Sequence, residues 1–276
     1  KIYFYIMKLT LAYSPCPNDT FIFDAMVHHK VDTEGLEFEV QLHDVEALNM
    51  MAFNNKVDVT KLSYNAFLHL YKKYALLSSG SALGEKCGPL LIAKHDKIKS
   101  FNAQSLVATP GKYTTASSLF SLAFPNNTNT KEMLFSEIED AVLVGEVDAG
   151  VIIHENRFTY LEKGLEKLMD LGEYWEEQTQ LPIPLGGIVV SKSLDSSVQK
   201  KISRVLRRSI EFAFEFPKES NDYVKQHAQE MDIDVMNSHI HLYVNNYSIE
   251  LGNKGRKAIY YLFDCNKISK NDLEII

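Results

Sequence analysis

Apolar and polar positions change period several times along the chain, and each change marks an element. Lys8–Tyr13 (KLTLAY) reads as a short strand that runs into a turn-forming cluster, Ser14-Pro15-Cys16-Pro17-Asn18-Asp19. The apolar segment Thr20–His29 is long enough for a helix, and Asn18 or Asp19 is placed to cap it by accepting from its free N–H groups. Leu36–Leu42 alternates as a strand does, and Val45–Asn54 has helical spacing. Ser105–Thr109 is strand-like, Pro110-Gly111-Lys112-Tyr113 a turn, and Thr114–Phe124 a helix pattern. After Gly186-Gly187, the strand Ile188–Ser191 leads into a long helix, Ser196–Phe216, with Val198, Ile202, Val205, Leu206 and Ile210 on one stripe. Lys200, Lys201, Arg204, Arg207 and Arg208 then fall mainly on its wet side, a solvated face rather than a binding patch. The C-terminal third, Asn221–Asn266, is mostly helical in pattern.

A pseudo-repeat organises these elements. Residues 45–64 read helix, turn, then Lys56-Val57-Asp58-Val59-Thr60-Lys61-Leu62-Ser63-Tyr64. Residues 136–155 read helix, turn, then Glu146-Val147-Asp148-Ala149-Gly150-Val151-Ile152-Ile153-His154-Glu155. Both set a charged residue and Val-Asp at the turn, then a short strand with a polar end, then another helical pattern. Two equivalent α/β lobes explain the match better than chance, and the alternation of strands and helices predicts largely parallel pairing.

Composition narrows the class. A chain of 276 residues holds one large domain or two modest ones, and 45% hydrophobic with 24% charged residues is ordinary for a globular protein. The net charge of −7 and the lack of a basic run argue against a nucleic-acid partner. Cys16, Cys87 and Cys265 are widely spaced without C-x-x-C, so neither a disulfide framework nor a structural zinc site is expected. No apolar run approaches the ~18 residues of a membrane span. Met7 reads as the natural start, residues 1–6 as an upstream extension, and the cytoplasm as the expected location. Nothing in the sequence indicates an oligomeric state.

In open α/β sheets ligands bind outside the carboxyl ends of the strands. Those ends carry Ser14/Asn18/Asp19, Lys61/Ser63, Thr109/Thr114/Thr115 and His154/Glu155, which face one another across a cleft if the first two clusters belong to one lobe and the last two to the other. Thr114 and Thr115 stand at a helix start, where they either offer an anion site or simply cap the helix. Lys61 is either a cation for the site or surface decoration. His154 follows a buried-strand pattern and is either an acid–base imidazole or a satisfied strand-end histidine. Glu155 beside it is a candidate to orient it, although neighbours on a strand point opposite ways. Gly111-Lys112 lacks the rest of a P-loop, Gly80, Gly84 and Gly88 do not make G-x-G-x-x-G, and His154-Glu155 has no second histidine for a zincin. His28-His29 and His239-x-His241 lie in helical patterns where the side chains diverge, so no metal is expected there.

Ser14-Pro15-Cys16-Pro17-Asn18-Asp19-Thr20-Phe21-Ile22-Phe23 resembles the opening motif of the 1,4-dihydroxy-6-naphthoate synthases of the futalosine menaquinone pathway. So do Asp44–Asn49, Thr60-Lys61-Leu62-Ser63-Tyr64, Tyr113-Thr114-Thr115-Ala116, Ile152-Ile153-His154-Glu155-Asn156-Arg157-Phe158-Thr159-Tyr160, His239-Ile240 and Leu242-Tyr243-Val244-Asn245. The matches run in order from about Leu9 to Asn245. The related chorismate dehydratase and a non-catalytic solute-binding protein are the alternatives; the S-P-C-P-N-D-T-F and H-E-N-R-F-T-Y segments favour the synthase. The resemblance implies an α/β, two-lobed fold of the type II periplasmic-binding-protein kind around a central cleft. Its crossovers are expected near Leu91–Ala93 and Gly187–Val190, which gives a large lobe of 7–92 with 190–276 and a small lobe of 93–189. It further implies a carbon–carbon lyase acting on cyclic dehypoxanthine futalosine, a small carboxylated substrate, with no cofactor. His154 becomes the proton acceptor and Lys61-Leu62-Ser63 with Thr114-Thr115 the substrate-binding segments, joined by Asn18 and Asp19.

Overall fold

In the computed structural model, which describes residues 7–228 and 232–276, the strand periods resolve into two separate sheets. The expected extension at residues 1–6 lies outside the described residues. The first stretch comprises β1 (Met7–Tyr13), α1 (Pro17–Val27), β2 (Leu36–Leu42), α2 (Val45–Phe53), β3 (Val59–Ser63), α3 (Tyr64–Leu70), β4 (Tyr74–Leu76) and β5 (Ala82–Gly84). The middle comprises β6 (Leu90–Lys94), α4 (His95–Ile98), β7 (Val107–Thr109), α5 (Thr115–Ala123), β8 (Thr130–Glu132), α6 (Ile138–Val144), β9 (Ala149–Ile152), α7 (Asn156–Thr159), β10 (Leu165–Asp170) and α8 (Leu171–Thr179). The chain finishes with β11 (Ile183–Ser191), α9 (Ser196–Glu215), α10 (Asn221–His227), α11 (Ile233–Tyr243), α12 (Asn246–Ile249) and α13 (Gly252–Cys265).

The first sheet runs β2-β1-β3-β11-β4, with β5 also on β11, and the second runs β10-β6-β9-β7-β8. The order β2-β1-β3-β11 matches β8-β7-β9-β6, so the two Val-Asp strands of the pseudo-repeat, β3 and β9, hold equivalent places. Their aspartates do the same work. Asp58 accepts from the Thr10 N–H at 2.9 Å and Asp148 from the Leu106 N–H at 2.9 Å, each tying the strand turn to its central neighbour. That backbone bond is the main reason the Asp148 carboxyl is held below its usual range.

Pairing is mixed rather than largely parallel. β1 is parallel to β2 and β3, and β7 to β8 and β9, as the alternating pattern predicts. β11 and β6 enter antiparallel, because each arrives from the other sheet rather than from a βα unit of its own. The chain passes between sheets over residues 85–89 and 171–182, slightly before the expected points, so Leu91–Ala93 lies within β6 and Gly187–Val190 within β11. The two passages touch: a Cβ on Gly88 would sit 2.2 Å from the Gly172 Cα, so the backbones meet only as glycines. Neither β10 nor α8 is expected from the sequence; α8 nevertheless buries Trp175 against Phe120 and Leu91.

Helices cover both faces of the first sheet. On one, α9 buries Ile202, Val205, Leu206 and Ile210 against β1 and β11, each worth about 1.5–3 kcal/mol of apolar burial. Its basic residues are the expected wet face, with Arg204 and Arg208 on Glu34 and Arg207 on Glu211 and Glu250. On the other face α2, α3 and α13 pack Leu48, Phe67 and Phe263. No helix among the described residues is long and apolar enough to cross a membrane.

Candidate active site

Four strand ends hand the chain directly to helices: β1 to α1, β3 to α3, β7 to α5 and β9 to α7. Each junction turns polar residues toward the same space, and the first turns of α1 and α5 open onto it, where their dipoles favour an anion. The result is an open pocket whose empty space, with the adjoining solvent, is about 680 Å³. Asn18, Asp19, Lys61, Leu62, Ser63, Thr114, Thr115 and His154 all line it, together with Ser14, whereas Thr109 and Glu155 of the expected strand-end clusters are not among its lining residues. Most of the wall between them is apolar, including Val45, Leu48, Ile153, Leu185 and Tyr243.

Asn18 and Asp19 are not caps. The N-cap of α1 is Cys16, which makes no side-chain cap bond, and Pro17 opens the helix. Asn18 and Asp19 therefore sit in the first turn with their side chains in a buried network. Asp19 accepts from Lys61 Nζ at 2.8 Å, Asn18 Nδ2 at 2.8 Å and Ser14 Oγ at 2.8 Å. Lys61 is thus a buried ion-pair partner rather than surface decoration. Asn18 Oδ1 in turn lies 2.9 Å from Nε2 of His239, a fully buried histidine of α11. The other histidine of that pair, His241, turns away and bonds the Asn237 carbonyl.

His154 occupies the turn from β9 to α7 with φ 58°, in the left-handed region that a residue with a side chain rarely adopts. This turn swings its ring off the strand line and into the pocket. Phe135 meets the ring edge-on at 5.0 Å, and His239 lies nearly parallel to it at 5.9 Å and 9°. Burial lowers its pKa from 6.5 to about 4, with Asp19 and Asp44 opposing and Lys61 assisting. At neutral pH the imidazole is uncharged and able to accept a proton. Glu155 reaches toward His239, its Oε2 3.7 Å from Nδ1.

Thr114 caps α5: its hydroxyl accepts from Ser117 N and donates to the Gly111 carbonyl at 2.8 Å. The Thr115 hydroxyl donates to the Leu185 carbonyl at 2.7 Å. Both hydroxyl protons are therefore spent inside the protein, and the capping alternative holds for Thr114. The donors left for an anion are the N–H groups of Thr115 and Ala116 in the first turn of α5, which have no acceptor within the helix. The loop before α5 is fastened to helices of the first sheet. Ser63 Oγ donates to the Tyr113 carbonyl, Tyr113 N–H to Glu46 at 3.2 Å, and the Tyr113 ring packs on Phe53.

Thr115→Pro isolates those donors. Proline suits the first helical position, and Thr114 already has the extended backbone (φ −76°, ψ 149°) that proline requires before it. Measured against Thr115→Val, which also loses the hydroxyl, Thr115→Pro is expected to raise KM for an anionic substrate about tenfold through one lost charge-assisted bond. Equal KM values would remove the helix terminus from binding.

Among the described residues, Cys16, His154 and Glu155 bring three potential ligand atoms within 4.8 Å of one another. Burial, with the Glu155 carboxylate, pushes the Cys16 thiol up toward its protonated form in the metal-free protein. The chemistry these groups offer is instead proton transfer: a neutral imidazole in an apolar pocket beside a Lys–Asp pair and an open helix terminus. Ser14, named at its strand end, lines the pocket; Tyr243 in its wall and His239 behind Asn18 lie outside the strand ends, and the only sequence signal for them is the family motif around them.

Comparison with known proteins identifies the family. A model of the menaquinone biosynthesis family matches residues 9–267. A 1,4-dihydroxy-6-naphthoate synthase of Thermus thermophilus is 42% identical over 255 residues, 92% of this chain and 92% of that protein. One of Streptomyces coelicolor is 42% identical over 256 residues, covering 91% and 90%. A solved protein of Archaeoglobus fulgidus superposes with a TM-score of 0.87 at 36% identity, over 94% of this chain and 97% of that one. The alkanesulfonate-binding protein of Xanthomonas axonopodis pv. citri, bound to MOPS, superposes with a TM-score of 0.72 at 10% identity over 98% of both chains, a likeness of fold alone. The two-lobed binding-protein architecture expected from the sequence is the one the chain adopts.

Proposed function

The chain belongs to the menaquinone biosynthesis family, and from that premise we propose that it is a 1,4-dihydroxy-6-naphthoate synthase. In this reading it is a carbon–carbon lyase that converts cyclic dehypoxanthine futalosine to 1,4-dihydroxy-6-naphthoate in the cytoplasm. The observation that carries it is the neutral His154 imidazole, aimed by a left-handed turn into the pocket where the Lys61–Asp19 pair and the start of α5 converge.

The substrate's carboxylate takes the first-turn N–H groups of α5, and its ring system lies on the apolar wall of Leu48, Leu62 and Leu185. Lys61 binds its oxygens from the opposite side, and Ser63, whose hydroxyl is given to the Tyr113 carbonyl, lines the wall beside it. His154 then removes a ring proton, and the electron pair left behind drives carbon–carbon fragmentation and loss of the sugar-derived part. Aromatisation supplies much of the driving force. The Tyr113 loop, held by Ser63 and Glu46, excludes water and fixes the reacting geometry. Incubating the purified protein with cyclic dehypoxanthine futalosine is expected to yield 1,4-dihydroxy-6-naphthoate by mass. Tight binding without product would indicate a receptor on the same fold, and turnover of chorismate in its place would indicate the sister dehydratase; either result defeats the proposal.

A further inference from the structure

We propose that His239 is a positioning residue of the reaction, acting through Asn18 to hold the Asp19–Lys61 pair in register beside His154. The inference deepens the synthase reading and rests on it for its kinetic arm.

The geometry fixes the direction of every proton in the relay. Lys61 Nζ can only donate, so Asp19 Oδ1 accepts from it at 2.8 Å. The same oxygen lies 2.8 Å from an Asn18 amide atom, which must also be a donor, Nδ2, since an amide oxygen there would face a carboxylate oxygen. The Asn18 oxygen is then turned to His239 at 2.9 Å, and His239 Nε2 must carry a hydrogen to meet it. His239 is fully buried, and burial, His154 and Lys61 all push it toward the uncharged form. The Asn18 contact requires the hydrogen on Nε2, and burial holds the ring uncharged, which together give the neutral Nε2–H tautomer. Its Nδ1 faces Glu155 Oε2 at 3.7 Å, and among the described residues no hydrogen-bond partner reaches the His239 Nδ1.

This arrangement makes the orientation of Asn18 depend on His239. Without the Nε2–H, the buried Asn18 oxygen loses that donor, and Asn18, held only by its bond to Asp19, is free to shift together with the carboxylate it orients. Lys61 then shifts with its counter-ion, at the lip of the pocket where His154 works. Ser14 holds the other Asp19 oxygen, so the carboxylate keeps a partial anchor and the fold survives.

Two measurements test the proposal, and their failures are separable. Long-range nitrogen–proton NMR of histidine-labelled protein is expected to show His239 neutral with the hydrogen on Nε2; a hydrogen on Nδ1, or on both nitrogens, would overturn the relay whatever the enzyme does. The second measurement is kinetic. His239→Leu is expected to lower kcat about 10- to 100-fold, the scale of a displaced catalytic constellation. His239→Gln, which keeps an N–H donor, is expected to recover most of that loss. Asn18→Asp, which leaves His239 intact but replaces the donor to Asp19 with a carboxylate, is expected to be as slow as His239→Leu, and the double variant no slower than either. Losses that multiply, or a fully active Asn18→Asp, would overturn the relay. If His239→Leu does not fold, Asn18→Asp and His239→Gln carry the same comparison. Should the wild type turn over no substrate at all, the synthase reading falls while the tautomer still decides the inference.

Discussion

His154→Ala is expected to lower kcat by about 10³-fold, the middle of the range for a lost general base, while substrate Kd changes by less than about tenfold. The asymmetry follows from where the groups sit. Binding is shared among the start of α5, the Lys61 side and the apolar wall, none of which His154 supports by a hydrogen bond of its own side chain that the structure records. Proton abstraction, in contrast, falls to the one neutral imidazole exposed to the pocket. The pH profile gives an independent check. Because the free-protein pKa of His154 is lowered to about 4, the base is already deprotonated at pH 6, and kcat/KM should stay flat down to about pH 5 and fall only below that. An unperturbed histidine would place the fall near 6.5. The charged groups that set this value are Asp19 and Asp44, which raise it, and Lys61, which lowers it. A variant without Lys61, such as Lys61→Met, should therefore move the acid limb upward. Turnover of His154→Ala within tenfold of the wild type, or an acid limb at 6.5, would remove the histidine from the role of base.

The parts of this site that a sequence reveals are those with a local period. Strand ends are visible because alternation stops there, and the four ends named Ser14, Ser63, Thr109 and His154 before any coordinates. The Val-Asp repeat was legible for a physical reason: Asp58 and Asp148 each bond the neighbouring strand, so the same dipeptide recurs at equivalent turns. What escaped was long-range. Nothing near residue 239 indicates that its ring will meet Asn18, 221 positions earlier, since only the packing of α11 on α1 brings them together. The antiparallel entry of β6 and β11 escaped for a similar reason, as strand direction is set by which sheet the chain has just left. Asn18 and Asp19 suit a cap by type and a cleft by their place at a strand end; the proline at position 17 starts the helix earlier and leaves both to the pocket.

Arg157→Ala is expected to destabilise the protein by about 3 kcal/mol, the low end for breaking a buried ion pair from one side. Arg157 donates to Asp170 at 2.6 Å and to the carbonyls of Gly88 and Lys86, so it fastens one interlobe passage to the second sheet's β10. Asp170 is buried, and without Arg157 its carboxylate keeps only the N–H groups of Gly172 and Glu173 at the start of α8. Those two bonds are why the low end of the range applies. With roughly 2–4 °C per kcal/mol for a chain of this size, the melting temperature should fall by about 6–12 °C. Arg157→Lys should recover less than half of that, because an ammonium cannot span the carboxylate and two carbonyls as a planar guanidinium does. The loss should also reach the chemistry. Arg157 stands three residues after His154, whose left-handed turn is held from the other side by Asn156 on the buried Glu139, itself paired with Lys163. Releasing one of the two clamps lets the turn relax toward an unstrained φ and draws the imidazole off its line. We therefore expect kcat of Arg157→Ala to fall at temperatures well below its melting point, with a smaller change in KM. A melting temperature within about 2 °C of the wild type would show that the passage is held by the Gly88–Gly172 contact alone, and an unchanged kcat would uncouple the clamp from the base.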